Sequence, residues 1–343
     1  MRILNAIHAQ SVGGVDQMFY NYAATLAAEG HEVALLISDN GYDNYKIPNV
    51  KKIFRLKNYS QILDCFKLLL ILLVYRPQLI ICHSNRLMKW MRILHYFVPT
   101  KSIAVNHGIG FKNSLNCDYI ININQQINDM VVKAGFDATK SFTLQNAINI
   151  DQEYHKKLIK KPLIIGMYGR IEPRKGFDIL LQAGAILAEK NIDFRLKIGG
   201  FEVPGGYHWQ YLQDFATQEK IYDKCDFVGL VSDKKDFFKD VDIFCVPSRE
   251  EPFGLVILEG FLYSTLVISS DTIGGKFLIE NKKSGLLFEN GNPADLAKKI
   301  TTINQGQEKH CDFTRMAYLK LTKQFSQNNF AQEIAKILQQ IFK

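Results

Sequence analysis

Residues 242–259 read DIFCVPSREEPFGLVILE, and they indicate the fold more clearly than any other stretch. Residues 242–247 form an apolar run that predicts a buried strand, and a helical pattern opens near Gly254. Glu251 lies in the polar loop between the two, and Glu259 lies about one turn into the helix. A strand, a polar loop and a helix in this order are typical of parallel α/β sheets, whose ligands bind at the carboxyl ends of the strands.

This loop has the chemistry of a ligand site. The free backbone N–H groups of Phe253, Gly254 and Leu255, at the start of the helix, can bind a phosphate. The carboxylates of Glu251 and Glu259 can accept hydrogen bonds from sugar and ribose hydroxyls. We therefore expect both carboxylates to face one ligand over the helix N-terminus.

A second motif, GMYGRIEPRKG at residues 166–176, places two cations close together. The predicted strand at 163–169 leads directly to Arg170, and Lys175 starts the next helix after a short turn. Arginine offers paired donors and lysine a point charge, so the two can converge on one diphosphate.

Short β-rich runs alternate with helical patterns along the whole chain of 343 residues. This alternation predicts an α/β protein with two doubly wound, Rossmann-like domains that face each other across a cleft. We expect an N-terminal domain at 1–155, a polar linker at 151–161, a C-terminal domain at 162–325, and a final helix at 326–343 that packs back on the first domain. The predicted strands are 2–8, 32–38, 78–84, 102–108, 118–124, 142–146, 163–169, 194–200, 226–229, 242–248, 266–271 and 285–289.

Together, the two motifs resemble the retaining nucleotide-sugar glycosyltransferases of family 4, which have the GT-B fold. The hallmark of that family is a Glu, seven residues and a second Glu, with Phe-Gly soon after the first; a Gly-Arg and Lys-Gly element precedes it. The matching residues here are Gly169, Arg170, Lys175, Gly176, Glu251, Phe253, Gly254 and Glu259.

Other segments resemble the same family. Residues 11–15, SVGGV, resemble its glycine loop near the donor phosphate, which includes Gly13 and Gly14 here. Residues 227–231, FVGLV, resemble its base-binding turn, which ends at Val231. His107 lies where the family has a histidine beside the reacting sugar. His83, at the end of another predicted strand, is interpreted as structural.

The resemblance implies a sugar linked to UDP, GDP or ADP as the donor, no further cofactor, and no metal. It implies that Arg170 and Lys175 neutralise the leaving diphosphate, with backbone amides of Gly14 and of residues 253–255 assisting. It further implies that Glu259 holds ribose hydroxyls.

By the same resemblance, Glu251 holds the transferred sugar and His107 contacts that sugar at its reacting face. No enzyme nucleophile is assigned. The sequence Asp240-Val241-Asp242 matches a metal motif of another glycosyltransferase fold, but it leads directly into an apolar strand and is interpreted as structural. The expected reaction is hexose transfer to a glycan or lipid-linked glycan, with bacterial lipopolysaccharide, capsule or other cell-surface polysaccharide as the setting.

The positive charge of the chain is concentrated in residues 51–100, which hold nine basic side chains and one acidic one, against a net charge of +8 for the whole chain. Such a patch attracts anionic lipid or an anionic acceptor, whereas no nucleic-acid-binding motif accompanies it. Arg86, Lys89 and Arg92 recur every three residues among apolar ones. This pattern fits either a membrane-surface helix or a solvated helix whose apolar side lies in the core.

The longest apolar run, residues 68–74, is too short to cross a bilayer and predicts a buried helix. With no signal peptide evident, we expect a cytoplasmic protein, with peripheral contact at the inner membrane face through residues 51–100.

Three other functions are open to a chain of this pattern. A sugar-nucleotide epimerase shares the GT-B fold. A dinucleotide-dependent oxidoreductase needs G-x-G-x-x-G after its first strand, and neither glycine segment fits that pattern. A non-enzymatic binder of anionic lipid or nucleic acid could use residues 51–100, but it leaves the motif residues Arg170, Lys175, Glu251 and Glu259 without a role.

Overall fold

Parallel sheets flanked by helices make up both halves of the chain. The computed structural model describes residues 1–8, 13–38, 47–50, 52–56, 60–306 and 308–343. These residues divide into two compact units. The first unit contains Met1–Ala147 together with Gln327–Lys343, and the second contains Ile148–Ser326. The predicted fold class, two Rossmann-like α/β domains, is confirmed.

In the described part of the first unit, seven strands form one sheet in the order β3-β2-β1-β4-β5-β6-β7, and every neighbouring pair is parallel. The order reverses between β1 and β4, which is the switch point of a doubly wound sheet. The strands are β1 (Arg2–Ala6), β2 (Glu32–Ser38), β3 (Lys52–Leu56), β4 (Leu79–Cys82), β5 (Lys101–Asn106), β6 (Tyr119–Asn122) and β7 (Ser141–Thr143).

Helices cover this sheet and include the last one in the chain. Ile334 of that last helix is fully buried, and Phe330 packs edge-on against Tyr22 with ring centroids 4.9 Å apart. The long helices are α1 (Gly14–Ala28), α2 (Gln61–Tyr75), α3 (Asn85–Leu94), α4 (Gln125–Lys133) and α12 (Gln327–Ile341).

In the described part of the second unit, six strands form a parallel sheet in the order β10-β9-β8-β11-β12-β13. The strands are β8 (Leu163–Ile171), β9 (Phe194–Glu202), β10 (Cys225–Gly229), β11 (Ile243–Val246), β12 (Leu266–Ser270) and β13 (Leu286–Phe288). The helices are α5 (Phe177–Glu189), α6 (Trp209–Gln218), α7 (Lys234–Lys239), α8 (Leu255–Leu262), α9 (Ile273–Leu278), α10 (Pro293–Gln305) and α11 (Glu308–Gln324).

The units divide after Ala147, which is earlier than the boundary at 155 expected from the polar composition of residues 151–161. That polar segment has no regular secondary structure, but it is bonded to the second unit. Lys157 donates to the carbonyl of Phe238 at 2.6 Å and to the hydroxyl of Thr265 at 2.9 Å. The polar residues 151–161 are therefore part of the second unit rather than a linker between the two units.

The helix predicted at residues 68–74 is present, but only one side of it is buried. The inner side of α2 lies in the core through Leu68, Leu72 and other residues. Its outer side exposes a stripe of six large apolar side chains, which we call the α2 apolar stripe: Ile62, Leu63, Phe66, Leu70, Leu73 and Val74. Across the described ranges, no helix has both the length and the apolar content needed to cross a membrane.

The apolar side of α3 lies in the core, where Leu87, Met88 and Trp90 are buried. Arg86, Lys89 and Arg92 lie on its exposed side. Of the two interpretations of the α3 pattern, the structure supports the solvated helix packed on the core. Lys51 and Lys57, two members of the predicted basic patch, lie outside the described residues.

Candidate functional site

The carboxyl end of β8 brings the two predicted cations of the second unit close together. Arg170 is the penultimate residue of this strand, and Lys175 ends the short 3₁₀ turn Pro173–Lys175 that follows. The side chain of Lys175 passes beside Gly169, because a Cβ at Gly169 would lie 3.8 Å from Lys175 Cγ. Both cations therefore lie at the edge of the sheet where an α/β fold binds ligands.

A glycine and an arginine fix the turn that holds Lys175. Gly176 has a φ of 72°, and a Cβ there would lie only 2.0 Å from the carbonyl oxygen of Pro247, so no side chain fits. Arg249, which follows β11, donates to the carbonyl of Pro173 at 2.7 Å and to both carboxylate oxygens of Asp178 at 2.9 and 2.6 Å. The loops after β8 and β11 are thus bound to each other, which neither motif indicated by itself.

Lys175 and Glu251 form a direct ion pair. Lys175 Nζ donates to Glu251 Oε2 at 2.6 Å, and both side chains are largely buried, with 16% and 11% of their area exposed. Arg170 pairs instead with Glu172, at 3.2 Å, and Glu172 also accepts from Arg174 at 2.8 Å. Each predicted diphosphate cation therefore has a carboxylate partner in this structure.

Glu259 is buried in α8 and is held by two donors. Tyr168 on β8 donates its hydroxyl to Glu259 Oε2, and Lys234 at the start of α7 pairs with Glu259 Oε1. Burial raises the pKa of Tyr168 well above its ordinary value, and the adjacent Glu259 carboxylate adds to the shift. Tyr168 therefore stays protonated and keeps its donor role. Sequence reasoning did not identify Tyr168, which reads as a core strand residue, or Lys234, which lies in a charged run.

The predicted phosphate-binding amides begin α8. Gly254 precedes the helix with a φ of 99°, and Leu255 is its first residue. Gly274 N donates to the Glu251 carbonyl at 2.7 Å, and a Cβ at Gly274 would lie 2.2 Å from the Phe253 carbonyl oxygen. Close backbone packing therefore sets the path of the loop from Glu251 to Gly254.

Val231, predicted to line the base-binding turn, follows β10. A Cβ at Gly199 of β9 would lie only 2.4 Å from the Cγ2 atom of Val231, which is too close for two carbon atoms. The absence of a side chain at Gly199 thus allows this turn to pack against β9. The turn lies at the same carboxyl edge as Arg170.

The remaining predicted site residues belong to the first unit. Gly13 precedes α1 and Gly14 is its first residue, while Ser11 and Val12 of the same loop lie outside the described residues. His107 directly follows β5. The second unit thus holds Arg170, Lys175, Val231, Glu251, Phe253, Gly254, Leu255 and Glu259, and the first unit holds Gly13, Gly14 and His107.

His83, which the sequence analysis interprets as structural, contacts the predicted site residue His107. His83 Nδ1 and His107 Nε2 are 2.9 Å apart, and His83 Nε2 is 2.9 Å from Asn5 Oδ1. Burial lowers the pKa of His83 well below its usual range, and the nearby His107 lowers it further. Burial also lowers the pKa of His107, to about 4. Both imidazoles are therefore neutral near pH 7.

Another buried histidine, His8, lies beside the carboxyl end of β1 and contacts an acidic, a basic and an aromatic side chain. His8 Nε2 is 3.6 Å from Asp64 Oδ2, and Arg86 is 3.2 Å from His8 Nδ1. The indole of Trp90 meets the His8 ring edge-on, with ring centroids 5.4 Å apart. Burial lowers the pKa of His8, and the positive charge of Arg86 lowers it further.

The described residues include no group of three or more His, Cys, Asp and Glu side chains that could hold a metal ion. What the second unit presents is an alternation of guanidinium, ammonium and carboxylate groups beside a helix N-terminus. Such a set can neutralise a diphosphate and accept hydrogen bonds from hydroxyls.

Comparison with known families gives a match in the second half of the chain. Residues 150–320 match the family model described as "Glycosyl transferases group 1". An uncharacterized glycosyltransferase of Haemophilus influenzae is 23% identical over 87% of this chain and 88% of its own length.

Two further relatives match over shorter stretches. The capsular polysaccharide biosynthesis glycosyltransferase CapM of Staphylococcus aureus is 27% identical, over 62% of this chain and 54% of its own. The lipopolysaccharide core biosynthesis glycosyltransferase LpsE of Rhizobium meliloti is 24% identical, over 63% of this chain and 61% of its own. The chain thus spans little more than half the length of these two relatives.

Solved structures share the fold along the whole chain. A glycosyltransferase from Rickettsia africae superposes with a TM-score of 0.85 at 20% identity, over 100% of this chain and 98% of its own. Anabaena Alr3699/HepE, solved in complex with UDP and glucose, superposes with a TM-score of 0.84 at 19% identity, over 99% of each chain.

Proposed function

We infer that this chain, whose residues 150–320 match the glycosyltransferase group 1 family model, transfers a hexose from a nucleotide-diphosphate sugar to a glycan or lipid-linked glycan. The observation that supports this function best is the cluster at the carboxyl edge of the second sheet. There Lys175 pairs with Glu251, Arg170 lies near the end of β8, and Tyr168 of the same strand donates to Glu259 of α8.

In this proposal, charge builds up on the diphosphate as it leaves, and Arg170 and Lys175 stabilise that charge. Fixed donors aimed at developing charge usually make a large contribution to catalysis. The amides of Gly14 and of residues 253–255 add neutral donors. No metal takes part in this scheme.

The carboxylates and His107 have separate roles in the proposal. Glu259 accepts from the ribose hydroxyls, with Tyr168 and Lys234 fixing its orientation. Glu251 accepts from hydroxyls of the transferred sugar, and His107 contacts that sugar at its reacting face. We further propose that the reaction retains the anomeric configuration, as in glycosyltransferase family 4, and we assign no enzyme nucleophile.

The relatives support the choice of donor and acceptor. HepE was solved with UDP, and CapM and LpsE are named for capsule and lipopolysaccharide synthesis. We therefore propose UDP as the first nucleotide to test, and a cell-surface polysaccharide precursor at the cytoplasmic face of the membrane as the acceptor.

A ligand screen tests the donor site. The melting temperature is measured with UDP, GDP, ADP and their sugar conjugates, with and without EDTA. One nucleotide series at 100 times its dissociation constant is expected to add about 2.7 kcal/mol of stability. EDTA leaves this gain unchanged, and Arg170→Ala abolishes it. Arg195→Ala, an exposed arginine of the same unit, is the matched control.

The outcomes separate the alternatives. Release of free nucleotide with formation of a glycoside supports the transferase, and NMR of the initial product reports the anomeric configuration. Interconversion of two sugar nucleotides without an acceptor would indicate an epimerase. If no nucleotide changes the melting temperature, the donor-site assignment is wrong and a non-enzymatic binder is favoured.

The proposal also includes peripheral contact with an anionic bilayer through α2. The α2 apolar stripe is strongly exposed, 82% for both Ile62 and Val74 and 58% for Phe66. Exposed Lys67 lies on the same helix, exposed Arg76 directly follows its last residue, and Lys89 and Arg92 lie on α3. Apolar side chains beside basic ones match the interface of an anionic membrane, where each basic residue contributes about 1 kcal/mol.

Vesicle co-sedimentation tests the membrane contact. The protein is expected to bind phosphatidylglycerol vesicles and not phosphatidylcholine vesicles, and Phe66→Asp with Leu70→Asp is expected to abolish binding. Leu319→Asp, at an exposed apolar position of the second unit, is the control. Equal binding by the double variant and the wild type would exclude α2 as the membrane contact.

A further inference from the structure

A hydrogen-bonded relay connects the backbone of α1 to His107. Asn5 Nδ2 donates to the Phe19 carbonyl at 2.8 Å, while Asn5 Oδ1 faces His83 Nε2 at 2.9 Å. On the other side of its ring, His83 Nδ1 faces His107 Nε2 at 2.9 Å. Asn5 and His83 are buried, so water does not compete for these bonds.

The direction of each hydrogen bond in this relay follows from the Phe19 carbonyl at its start. The Phe19 carbonyl can only accept, so the Asn5 atom that faces it is the NH₂ group, and the other amide atom is the oxygen. That oxygen also only accepts, so His83 Nε2 must bear a proton. In a neutral His83, Nδ1 then has a lone pair, and His107 Nε2 must donate to it.

Burial keeps both rings neutral, because a charged imidazole is disfavoured away from water. A protonated His83 would donate from both nitrogens and would force the opposite tautomer on His107. The edges of the Phe19 and Tyr22 rings pack against His83, with centroids 5.6 and 5.0 Å away. These contacts hold the ring of His83 in place.

We propose that His83, fixed by Asn5, is a positioning residue that sets His107 as the Nε2–H tautomer and leaves His107 Nδ1 as a hydrogen-bond acceptor. Within the described ranges, no group bonds to this second nitrogen of His107. His107 is partly exposed, so the nitrogen is available to a ligand.

The consequence for the reaction rests on the proposed function. A neutral His107 with a free lone pair accepts a hydrogen bond from a hydroxyl of the donor sugar. It adds no positive charge to the departing diphosphate, so charge stabilisation depends on Arg170 and Lys175. His107 therefore contributes to the specificity for a sugar hydroxyl and not to electrostatic catalysis.

NMR of the imidazole nitrogens tests the tautomer without any substrate. In uniformly ¹⁵N-labelled protein at pH 7.5, His107 is expected to show a pyrrole-type shift at Nε2 and a pyridine-type shift at Nδ1. The signals are assigned by their loss in His107→Gln, and His95 of the same unit serves as an internal reference. A pyrrole-type shift at Nδ1, or a doubly protonated ring, would overturn the proposal.

Two substitutions at His83 separate positioning from packing. Glutamine can donate to Asn5 from its amide nitrogen and accept from His107 with its oxygen, so His83→Gln is expected to keep the tautomer. His83→Leu fills the space without either bond, and it is expected to mix the tautomers and to lower kcat/KM by about tenfold. Circular dichroism and melting temperature report whether each variant is folded.

The two proposals fail in different ways. The positioning role is wrong if both His83 variants are folded, lose the same activity and show the His107 signals of the wild type. If the tautomer is as expected but no nucleotide sugar is consumed, the relay stands and the proposed function is wrong.

Discussion

At the scale of single residues, the proposed donor site of the second unit is a set of cations that already have carboxylate partners. Glu172 accepts from Arg170 and Arg174, Glu251 from Lys175, and Glu259 from Lys234. A diphosphate that binds Arg170 must therefore compete with Glu172. We therefore expect Glu172 to influence nucleotide affinity, although the sequence analysis singles out only Arg170 and Lys175 of this motif.

The variant Glu172→Gln is expected to bind nucleotide about three- to tenfold more tightly, because it removes a negative charge that competes with the diphosphate. Isothermal titration calorimetry with the nucleotide found in the screen measures the effect. Glu280→Gln, whose partner Lys283 is exposed, is the control. Weaker binding by Glu172→Gln would show that Glu172 orients Arg170 rather than competing with the ligand.

Histidines with depressed pKa values make the protein sensitive to acid. Burial lowers the pKa of His8, His83 and His107 below the ordinary value of 6.5, to about 4 for His107. Below pH 6.5 the unfolded chain binds protons that the folded chain does not, so stability falls as the pH falls. Since one pKa unit is worth about 1.4 kcal/mol, His107 alone accounts for up to about 3 kcal/mol.

Urea unfolding between pH 7.5 and 5 measures this loss. His107→Gln is expected to lose less stability over the range than the wild type, whereas His208→Gln, an exposed histidine, is expected to follow the wild type. A free energy of unfolding that stays constant from pH 7.5 to 5 would contradict the assignment of buried neutral histidines.

The sequence identified the residues with a recognisable pattern and missed those whose role depends on a partner. The two motifs led to Arg170, Lys175, Glu251 and Glu259. Tyr168 could not be identified in this way, because a tyrosine two residues before Arg170 reads as part of a buried strand. His83 was interpreted as structural, because the sequence does not show its contact with His107. The two histidines are 24 residues apart in sequence and meet only where their strands end side by side.

At the scale of elements, the turn after β8 depends on one glycine. Gly176→Ala would place a Cβ 2.0 Å from the Pro247 carbonyl oxygen and impose a φ of 72° on alanine. Gly205 has a similar φ of 77° but open space around it, so it is the matched control.

Gly205→Ala is expected to cost about 1–2 kcal/mol from backbone conformation alone. Gly176→Ala is expected to cost at least about 2 kcal/mol more, because the clash forces the backbone to move. Thermal unfolding compares the two variants. Equal losses would mean that the loop after β11 moves aside without cost, and that the close packing of the two loops is not required.

Elements with a buried, continuously apolar sequence were predicted well. β2 was predicted at residues 32–38, which are its observed bounds, and β8 and β9 begin where they were expected. β3 was not predicted, because its sequence KIFRL includes the basic residues Lys52 and Arg55 and its burial is incomplete at the edge of the sheet. The outward side of α2 was also missed, since an apolar run does not reveal which side of a helix a neighbour covers.

At the scale of the whole molecule, the excess positive charge and the α2 apolar stripe belong to the same fifty-residue region. Their contributions to vesicle binding differ in their dependence on salt. Coulombic attraction is screened over about 8 Å at 0.15 M salt and about 3 Å at 1 M, whereas apolar insertion is not weakened by salt.

Binding to phosphatidylglycerol vesicles is therefore expected to fall steeply from 0.05 to 0.5 M NaCl and then to level off above zero. In Phe66→Asp with Leu70→Asp, no residual binding is expected at high salt. Co-sedimentation across the salt series provides both curves. Complete loss of wild-type binding at 0.5 M NaCl would mean that charge alone attracts the protein and that the α2 apolar stripe does not enter the bilayer.

The division into two units was expected from the restart of the strand–helix pattern near residue 162. The position of the boundary, after Ala147, was not expected. The chain that follows is polar in composition, yet Lys157 bonds it to buried acceptors of the second unit. Composition describes how a segment interacts with water, but it does not reveal a single well-placed lysine that attaches the segment to a domain.

The pairing of Lys175 with Glu251 also bears on how the spent nucleotide departs. In the proposed reaction, the diphosphate moves away from Lys175, and the Glu251 carboxylate, which lies 2.6 Å from the ammonium in this structure, is available to take its place. Departure is then an exchange of one anion for another rather than the exposure of a bare cation. We expect such an exchange to shorten the residence time of the nucleotide, so that a site with strong phosphate donors is cleared quickly between turnovers.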